Sequence, residues 1–231
     1  MIEITISDEI RNACPDLRIC TIMCDVRNTE HNEGLWKEIT EIESAIRTES
    51  NPENNPENKQ TNTPEAINKI PTIKATRQAY KALGKDPNRY RPSAESLHRR
   101  IHKGMPLYRI NTLVDLINLV SIKTGYSIGA FDATKIQGNL CLGIGTEGEM
   151  YRGIGRGKLN IAGLPVYRDN ISGIGTPTSD EERTKIEPTT SKLLIIINAY
   201  SGPNGLQETA TLTINLLKKY AKARNIITRI V

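Results

Sequence analysis

The segment RINTLVDLINLVSIKTGYSIGAFD, residues 109–132, predicts a buried helix followed by a strand. Its helical part is apolar on nearly every side, which is typical of a helix in the protein interior. Three polar residues interrupt it, since Asn111, Asp115 and Asn118 recur at i, i+4 and i+7 and therefore share one face. A buried, unpaired carboxylate costs several kcal/mol, so we expect this polar face to contact partners, water or a ligand.

The sequence after this segment changes to short apolar stretches separated by glycine, a pattern that predicts strands. The continuous apolar run in KLLIIINAY, at Lys192–Tyr200, predicts a central strand of a sheet. Shorter strands are predicted at Leu140–Gly145, Met150–Gly155, Lys158–Ala162 and Pro165–Arg168.

Apolar periodicity predicts the remaining elements. In the helix that begins at Ser93 and is closed by Gly104, Ser93 is placed to cap the first turn. The other predicted elements are strands at Ile2–Ile6 and Leu17–Val26 and helices at Gly34–Thr48, Ala75–Leu83 and Leu206–Ala221.

Residues 49–65, ESNPENNPENKQTNTPE, contain almost nothing that a core could bury. We predict a flexible surface loop there. The part before it is too small to stand alone, so residues 1–231 are predicted to form a single domain.

The formal charge of +5 is moderately basic and indicates a local basic patch. In HRRIHK, residues 98–103, the side chains of Arg99, Arg100 and Lys103 are candidates for contacts with nucleic-acid phosphates, or else form an ordinary solvated helix face. With one Trp, eight Tyr and one Phe in the chain, platforms for base stacking are expected to be sparse.

No window resembles a signal peptide or approaches the ~18 apolar residues of a membrane span. The four cysteines lack metal-site spacing, and we expect them to be reduced thiols. The sequence thus predicts a cytoplasmic protein that is not membrane-bound and that holds no metal ion or cofactor.

The stretch GIGTEGEMYRGIGRG, Gly143–Gly157, contains the G-x-G-x-x-G pattern of dinucleotide-binding loops. That fingerprint requires a helix to begin inside it, whereas Gly153, Gly155 and Gly157 crowd three glycines into five positions. We therefore predict strand, turn and strand, with the glycines supplying positive backbone dihedrals.

Four segments in order carry a resemblance to a known family. They are residues 75–101 (ATRQAYKALGKDPNRYRPSAESLHRRI), 109–132, 148–169 (GEMYRGIGRGKLNIAGLPVYRD) and 179–197 (SDEERTKIEPTTSKLLIII). Together they resemble the tRNA-editing domain, the B-three/B-four unit, of the bacterial phenylalanyl-tRNA synthetase beta subunit. The similarity is closest to free-standing proteins made of that domain alone.

The resemblance implies an α+β fold, a three-layer β/β/α sandwich, and a role in tRNA editing. The synthetase domain hydrolyses tyrosine wrongly esterified to its tRNA, and free-standing relatives correct mischarged tRNA in trans. In the synthetase an arginine and a histidine stand where this chain has Tyr108 and Gly129, and the strand that carries the tyrosine-reading glutamate is here LLIII. We therefore do not expect tyrosine specificity. Nothing in the sequence resembles the aminoacylation module of the synthetase, so ligase activity is not expected either.

Hydrolysis of an aminoacyl ester needs a positioned water and charge stabilisation rather than an obligatory nucleophile. No catalytic triad is evident, and surface roles are expected for His31, His98 and His102.

The resemblance makes Asn111, Asp115 and Asn118 the candidate catalytic set, with Arg109 beside them in substrate binding. The structural alternative is that Asn111 caps the helix and Asp115 pairs with Arg109 or a backbone amide.

Three further residues are candidates for substrate binding. Glu149 is placed to contact the amino group of the ester, or else is a solvated residue flanking a turn. Arg183 and Thr184 are placed to reach the pocket, or else Arg183 forms a loop ion pair.

The leading functional hypothesis is a stand-alone aminoacyl-tRNA deacylase whose partner is the aminoacylated 3′ end of tRNA. A non-catalytic RNA-binding module of the same fold and a pocket for a free amino acid stay open as alternatives. The amino acid, the tRNA and the oligomeric state are not predicted.

Overall fold

A computed structural model of the chain describes residues 2–49 and 64–231. Apart from its two ends, the predicted flexible loop at 49–65 lies outside these residues. The described helices are α1 (Asp8–Ala13), α2 (Glu33–Glu49), α3 (Pro64–Ile67), α4 (Pro71–Ala82), α5 (Ser93–His102), α6 (Thr112–Thr124) and α7 (Leu206–Ala221). The strands are β1 (Ile4–Ile6), β2 (Arg18–Asp25), β3 (Ile128–Asp132), β4 (Leu140–Ile144), β5 (Arg152–Gly153), β6 (Gly157–Lys158), β7 (Pro165–Arg168), β8 (Gly173–Gly175), β9 (Lys192–Ala199) and β10 (Arg224–Ile230).

Two four-stranded sheets organise the domain. The first, which we call the central sheet, has the order β10-β2-β9-β3 with antiparallel pairing throughout. The second, the outer sheet, has the order β1-β4-β7-β8, in which β1 and β4 are parallel. Strands β5 and β6 form a separate two-stranded hairpin.

The central sheet is buried on both faces, which makes the fold three-layered. Along β9 successive side chains point to opposite faces, as in any strand. Leu193, Ile195 and Ile197 pack among the residues of α2, α5, α6 and α7, whereas Leu194 and Ile196 pack against the outer sheet. This confirms the predicted α+β class and the β/β/α order of the layers, with β9 as a central strand.

Helix α6 is the most deeply buried helix of the α layer and is closed at both ends by local chemistry. The Asn111 side chain accepts a hydrogen bond from the Val114 N–H at 3.1 Å, so the predicted capping role is confirmed. Gly125 ends the helix in the left-handed region with φ of 72°, where a side chain is disfavoured. The chain then enters the edge strand β3 after three residues, and the half-buried residues Val114 and Asn118 of α6 line one cavity together with Ile128 and Ala130 of β3.

Several expectations from the sequence were wrong. Helix α1 and strand β10 were not predicted, and the predicted strand at Lys158–Ala162 ends at Lys158. Ser93 makes no capping hydrogen bond, because Pro92 occupies the cap position of α5. His98 is buried rather than exposed, and burial lowers its pKa.

The glycine-rich stretch behaves as predicted. No helix begins within Gly143–Gly157, and the chain passes from β4 through a turn into the β5–β6 hairpin. Gly148, Gly155 and Gly157 have φ of 74°, 66° and 71°. None of the helices in the described ranges is long and apolar enough to cross a membrane.

Candidate functional site

A cavity of about 610 Å³ lies between α5, α6, β3 and the segment 180–188, and we call it the inner cavity. Cavities of ~300–1,000 Å³ with mainly apolar walls and a few polar groups are typical of small-molecule sites. The apolar part of the wall comprises Leu97, Ile110, Val114, Ile117, Ile128, Ala130, Ile154, Ile186 and Pro188.

Asn118 gives the inner cavity an amide on the α6 side. The residue is half-buried, and within the described ranges its side chain makes no hydrogen bond. An amide carries two donors and an acceptor oxygen, so Asn118 is equipped to hold a polar ligand atom. It is the member of the predicted polar face that remains available to a ligand.

Asp180 places a carboxylate on the opposite side of the inner cavity. One of its oxygens accepts a hydrogen bond from the Ala130 N–H at 3.2 Å, on the outer edge of β3. Burial raises the pKa of Asp180 to about 7, although the Ala130 N–H opposes that shift. A carboxyl group that titrates near neutrality and faces a cavity is suited to accept a proton.

The other charged residues of the inner cavity are already paired. Lys185 lies 2.8 Å from Glu182, and Glu187 lies 2.7 Å from Lys135. Asp180 has no cationic partner among the described residues. Unlike Glu187, it therefore lines this cavity without an ion pair.

A second cavity, of about 540 Å³, adjoins the inner cavity. Ser93, Leu97, Asn118 and Ile154 line both, so the two spaces meet at these side chains. Five cationic residues line this second cavity, whereas no aspartate or glutamate of the described chain does. We call the second cavity the basic vestibule. The five are Arg91, Arg99, Arg100, Lys103 and Arg156.

The structure brings the three predicted nucleic-acid residues together, because Arg99, Arg100 and Lys103 all line the vestibule. They differ in what else they contact. Arg99 donates to the buried Glu95 at 2.7 Å, so part of its charge is balanced. Lys103 is exposed and has no carboxylate partner among the described residues.

Asp115, towards the amino-terminal end of the predicted polar face, accepts hydrogen bonds from other parts of the protein. Asp115 is buried and accepts hydrogen bonds from the Trp36 indole N–H at 2.7 Å and from the Ile110 N–H at 3.0 Å. Burial raises the pKa of Asp115, and these two donors oppose the shift. Asp115 does not line the inner cavity, so we do not carry its catalytic assignment forward.

Asn111 borders the inner cavity, but its side-chain oxygen is engaged in capping α6. Arg109 lies on another side of the protein, beside α2, where its guanidinium stacks over the Trp36 ring at 4.5 Å. Arg109 does not line the inner cavity, and of the two partners predicted for Asp115 the structure shows a hydrogen bond from a backbone amide, that of Ile110.

Of the remaining predicted substrate-binding residues, Glu149 and Arg183 form ion pairs elsewhere and Thr184 is buried away from the cavity. Glu149 forms a two-pronged ion pair with Arg168, at 2.7 and 2.6 Å. Arg183 donates to Asp169 at 2.8 Å, which is the loop ion pair that the sequence offered as the alternative. Thr184 is fully buried. None of Glu149, Arg183 and Thr184 lines the inner cavity.

Asp180 was missed because its position depends on two glycines that are distant in sequence. A Cβ on Gly129 would lie 3.4 Å from the Asp180 carboxylate and 2.8 Å from the Phe131 ring. A Cβ on Gly175 would lie 2.9 Å from the same carboxylate. In the sequence Asp180 is one of three consecutive acids, and nothing distinguishes it from its two neighbours.

The three-layer fold and the inner cavity define an α+β domain with a ligand-sized pocket between its helices and sheet. A family model described as the B3/4 domain matches residues 75–222, more than half of the chain. The chain belongs to the B3/4 domain family, as the resemblance predicted. The matched range contains every residue that lines the inner cavity and the vestibule.

Similarity to two individual proteins covers smaller shares of their chains. The phenylalanine–tRNA ligase beta subunit of Bartonella henselae is 37% identical over 93 residues, which cover 37% of this chain and 11% of that subunit. An N-terminal fragment of the Pyrococcus horikoshii phenylalanyl-tRNA synthetase beta subunit aligns with a TM-score of 0.48 and 10% identity, over 99% of this chain and 50% of the fragment. The chain therefore spans about a tenth of the curated relative and half of the solved fragment.

Proposed function

We propose that this protein is an aminoacyl-tRNA deacylase that acts in trans on mischarged tRNA. The observation that carries the proposal is the junction of a mostly apolar cavity with a vestibule lined by five cationic residues and, among the described residues, no acidic one. Such a pair of spaces is complementary to a ligand with a small organic group at one end and phosphates next to it. An amino acid esterified to the 3′ ribose of tRNA has that chemistry.

In the proposed complex the aminoacyl group occupies the inner cavity and the adjacent phosphates lie in the vestibule. The apolar wall excludes bulk water and strengthens polar contacts to the ester. Asn118, at the junction of the two spaces, donates to a carbonyl or ribose oxygen of the ester.

The ester is activated, so the protein has to orient water and handle one proton. In the proposed reaction the Asp180 carboxylate accepts a proton from a water molecule as its oxygen attacks the ester carbonyl. The bond between the carbonyl carbon and the ribose oxygen breaks, and that oxygen receives the proton from Asp180. The products are a free amino acid and a tRNA with a free 3′-terminal hydroxyl group, and no metal ion or cofactor takes part.

The test is to incubate the purified protein with a panel of tRNAs, each esterified with a cognate or a non-cognate amino acid. At least one mischarged ester is expected to decay faster than in buffer, while correctly charged tRNAs survive. The Asp180→Asn variant is the matched control, because asparagine keeps an oxygen for the Ala130 N–H but cannot accept a proton. Ester lifetimes equal to buffer across the whole panel contradict the proposal.

The vestibule also supports a second candidate function, a non-catalytic RNA-binding module. Binding of phosphates by Arg100, Lys103 and Arg156 needs none of the chemistry in the inner cavity. This alternative predicts tRNA binding that weakens steeply with salt and leaves every ester intact. Thermal stabilisation by a free amino acid but not by tRNA would instead indicate an amino-acid-binding protein.

A further inference from the structure

Tyr108 is an exposed aromatic residue on the wall of the basic vestibule. Its exposure is 65%, and it lies in the connection between α5 and α6. The Arg100 guanidinium lies over one face of the ring, 3.7 Å from its centroid. The Arg100 Nε donates to the Pro106 carbonyl at 2.6 Å, which fixes the guanidinium in that place.

This arrangement covers one face of the Tyr108 ring and leaves the rest of it in solvent. An aromatic ring supported from behind by a guanidinium is a rigid π surface, and it loses little conformational entropy when a second flat group stacks on it. Flat groups that stack on such surfaces are above all nucleobases, provided that they are not already paired.

The charge around Tyr108 favours a polyanion. Lys103 and Arg156 are exposed, and within the described ranges neither they nor Arg100 has a carboxylate partner. Among the described residues, the buried carboxylate of Glu95 forms ion pairs with Arg91 and Arg99 of the vestibule. Cations flanking an exposed ring are the combination by which proteins hold single-stranded nucleic acid.

We propose that the open face of Tyr108 stacks an unpaired base at the 3′ end of an RNA, while Arg100, Lys103 and Arg156 contact its phosphates. The choice of ligand rests on the proposed function. In that function the aminoacyl ester at the 3′ end of the RNA passes Ile154 and Asn118, which line both spaces, and enters the inner cavity. An acidic peptide would satisfy the cations but would leave the ring without a flat partner.

The test measures binding of an unacylated, fluorescein-labelled RNA hairpin with a single-stranded CCA end by fluorescence anisotropy. Tyr108→Ala is expected to weaken binding roughly tenfold, within the range of one lost base–aromatic stack, whereas Tyr108→Trp keeps it. Met105→Ala is the matched control, since Met105 is an exposed vestibule residue without a ring, and its loss is expected to change the affinity less than twofold.

Two further measurements separate the contributions of charge and stacking. Lys103→Gln is expected to lower the salt dependence of binding by roughly one ion, whereas Lys218→Gln, an exposed lysine of α7 outside the vestibule, leaves it unchanged. The same hairpin with a blunt end is expected to bind more weakly than the CCA-ended one and to be insensitive to Tyr108→Ala.

Equal affinity of the two hairpins, or an unchanged affinity of Tyr108→Ala, overturns the stacking inference. It is also overturned if polyglutamate of matched charge competes with the hairpin for binding and its own affinity falls equally in Tyr108→Ala. The RNA is unacylated, so these outcomes are independent of hydrolysis. Tyr108-dependent binding without any ester cleavage contradicts the deacylase proposal alone, and cleavage that is unaffected by Tyr108→Ala contradicts the stacking inference alone.

Discussion

The amino-terminal end of α6 and the inner cavity each contain a carboxylate whose pKa is raised by burial, and the two are used differently. Asp115 accepts hydrogen bonds from the Trp36 indole and from the Ile110 amide, one on each oxygen. Asp180 accepts a single bond, from the Ala130 amide, and faces a cavity of about 610 Å³.

The difference shows that burial and a raised pKa do not by themselves identify a functional carboxylate. Burial raises the pKa of both residues, but of the two only Asp180 keeps an oxygen without a hydrogen-bond partner among the described residues. A carboxylate oxygen in that state can accept a hydrogen bond from a ligand or from water. The same contrast separates Asn111, which caps α6, from Asn118, which does not contribute to the helix ends.

The largest expected effect is on stability, from Asp115→Ala. The change leaves the Trp36 indole and the Ile110 amide without their acceptor, and two orphaned donors together cost about 3 kcal/mol in free energy of unfolding. Urea denaturation monitored by circular dichroism measures it. Asn118→Ala is the control and is expected to change the free energy of unfolding by less than about 0.5 kcal/mol. Equal losses in the two variants would contradict the division between the two regions.

The next effect is on catalysis, from Asp180→Asn. Loss of a general base lowers the deacylation rate by ~10²–10⁴-fold, so a decrease of at least about 100-fold is expected. The wild-type rate should rise with pH and level off above pH 7, since the active form of Asp180 is the carboxylate and burial raises its pKa to about 7. Single-turnover deacylation across pH 5 to 9 tests both. A variant as fast as the wild type would rule out Asp180 as the base.

A smaller catalytic effect is expected from Asn118→Ala. Its amide is proposed to orient the ester rather than to transfer a proton, and loss of one hydrogen bond to a neutral group costs about 1 kcal/mol. The decrease in kcat/KM is therefore expected to be roughly five- to tenfold, with an unchanged Tm. Ser121→Ala, which alters another polar residue of the same wall, serves as the matched control.

The sequence was sufficient to predict most of the three-layer arrangement. The apolar runs of β2 and β9 and the nearly all-round apolar surface of α6 are local signals that a sequence pattern records directly. Strand β10 escaped prediction because its pattern RNIITRI is largely exposed in the structure, so burial imposes little periodicity on it. Its place is set by pairing with β2, about 200 residues earlier, which no local pattern records.

The candidate site was less accessible to sequence reasoning. Spacing along α6 correctly placed Asn111, Asp115 and Asn118 on one helix, but it does not reveal that Trp36, from α2, donates to Asp115. Spacing also does not reveal that Gly129 and Gly175 leave room for Asp180. Hydrogen-bond partners from distant segments decide which polar residues stay available, and those partners are a property of the tertiary structure.

The last expected effect links the stability of the protein to the same carboxylate. The folded-state pKa of Asp180 is raised to about 7, so the protonated form stabilises the fold below the unfolded pKa, near 3.9 for aspartate, and this contribution is lost as pH rises towards 7. Asparagine resembles the protonated acid at every pH. Asp180→Asn is therefore expected to match the wild type in Tm at pH 4 and to exceed it at pH 8. Lys185 and Glu187 keep their ion pairs in both proteins, so the difference between the two curves isolates Asp180. Thermal unfolding at both pH values measures it. A variant less stable than the wild type at pH 8 would mean that the charged carboxylate is held by the fold, as Asp115 is, rather than left for a ligand.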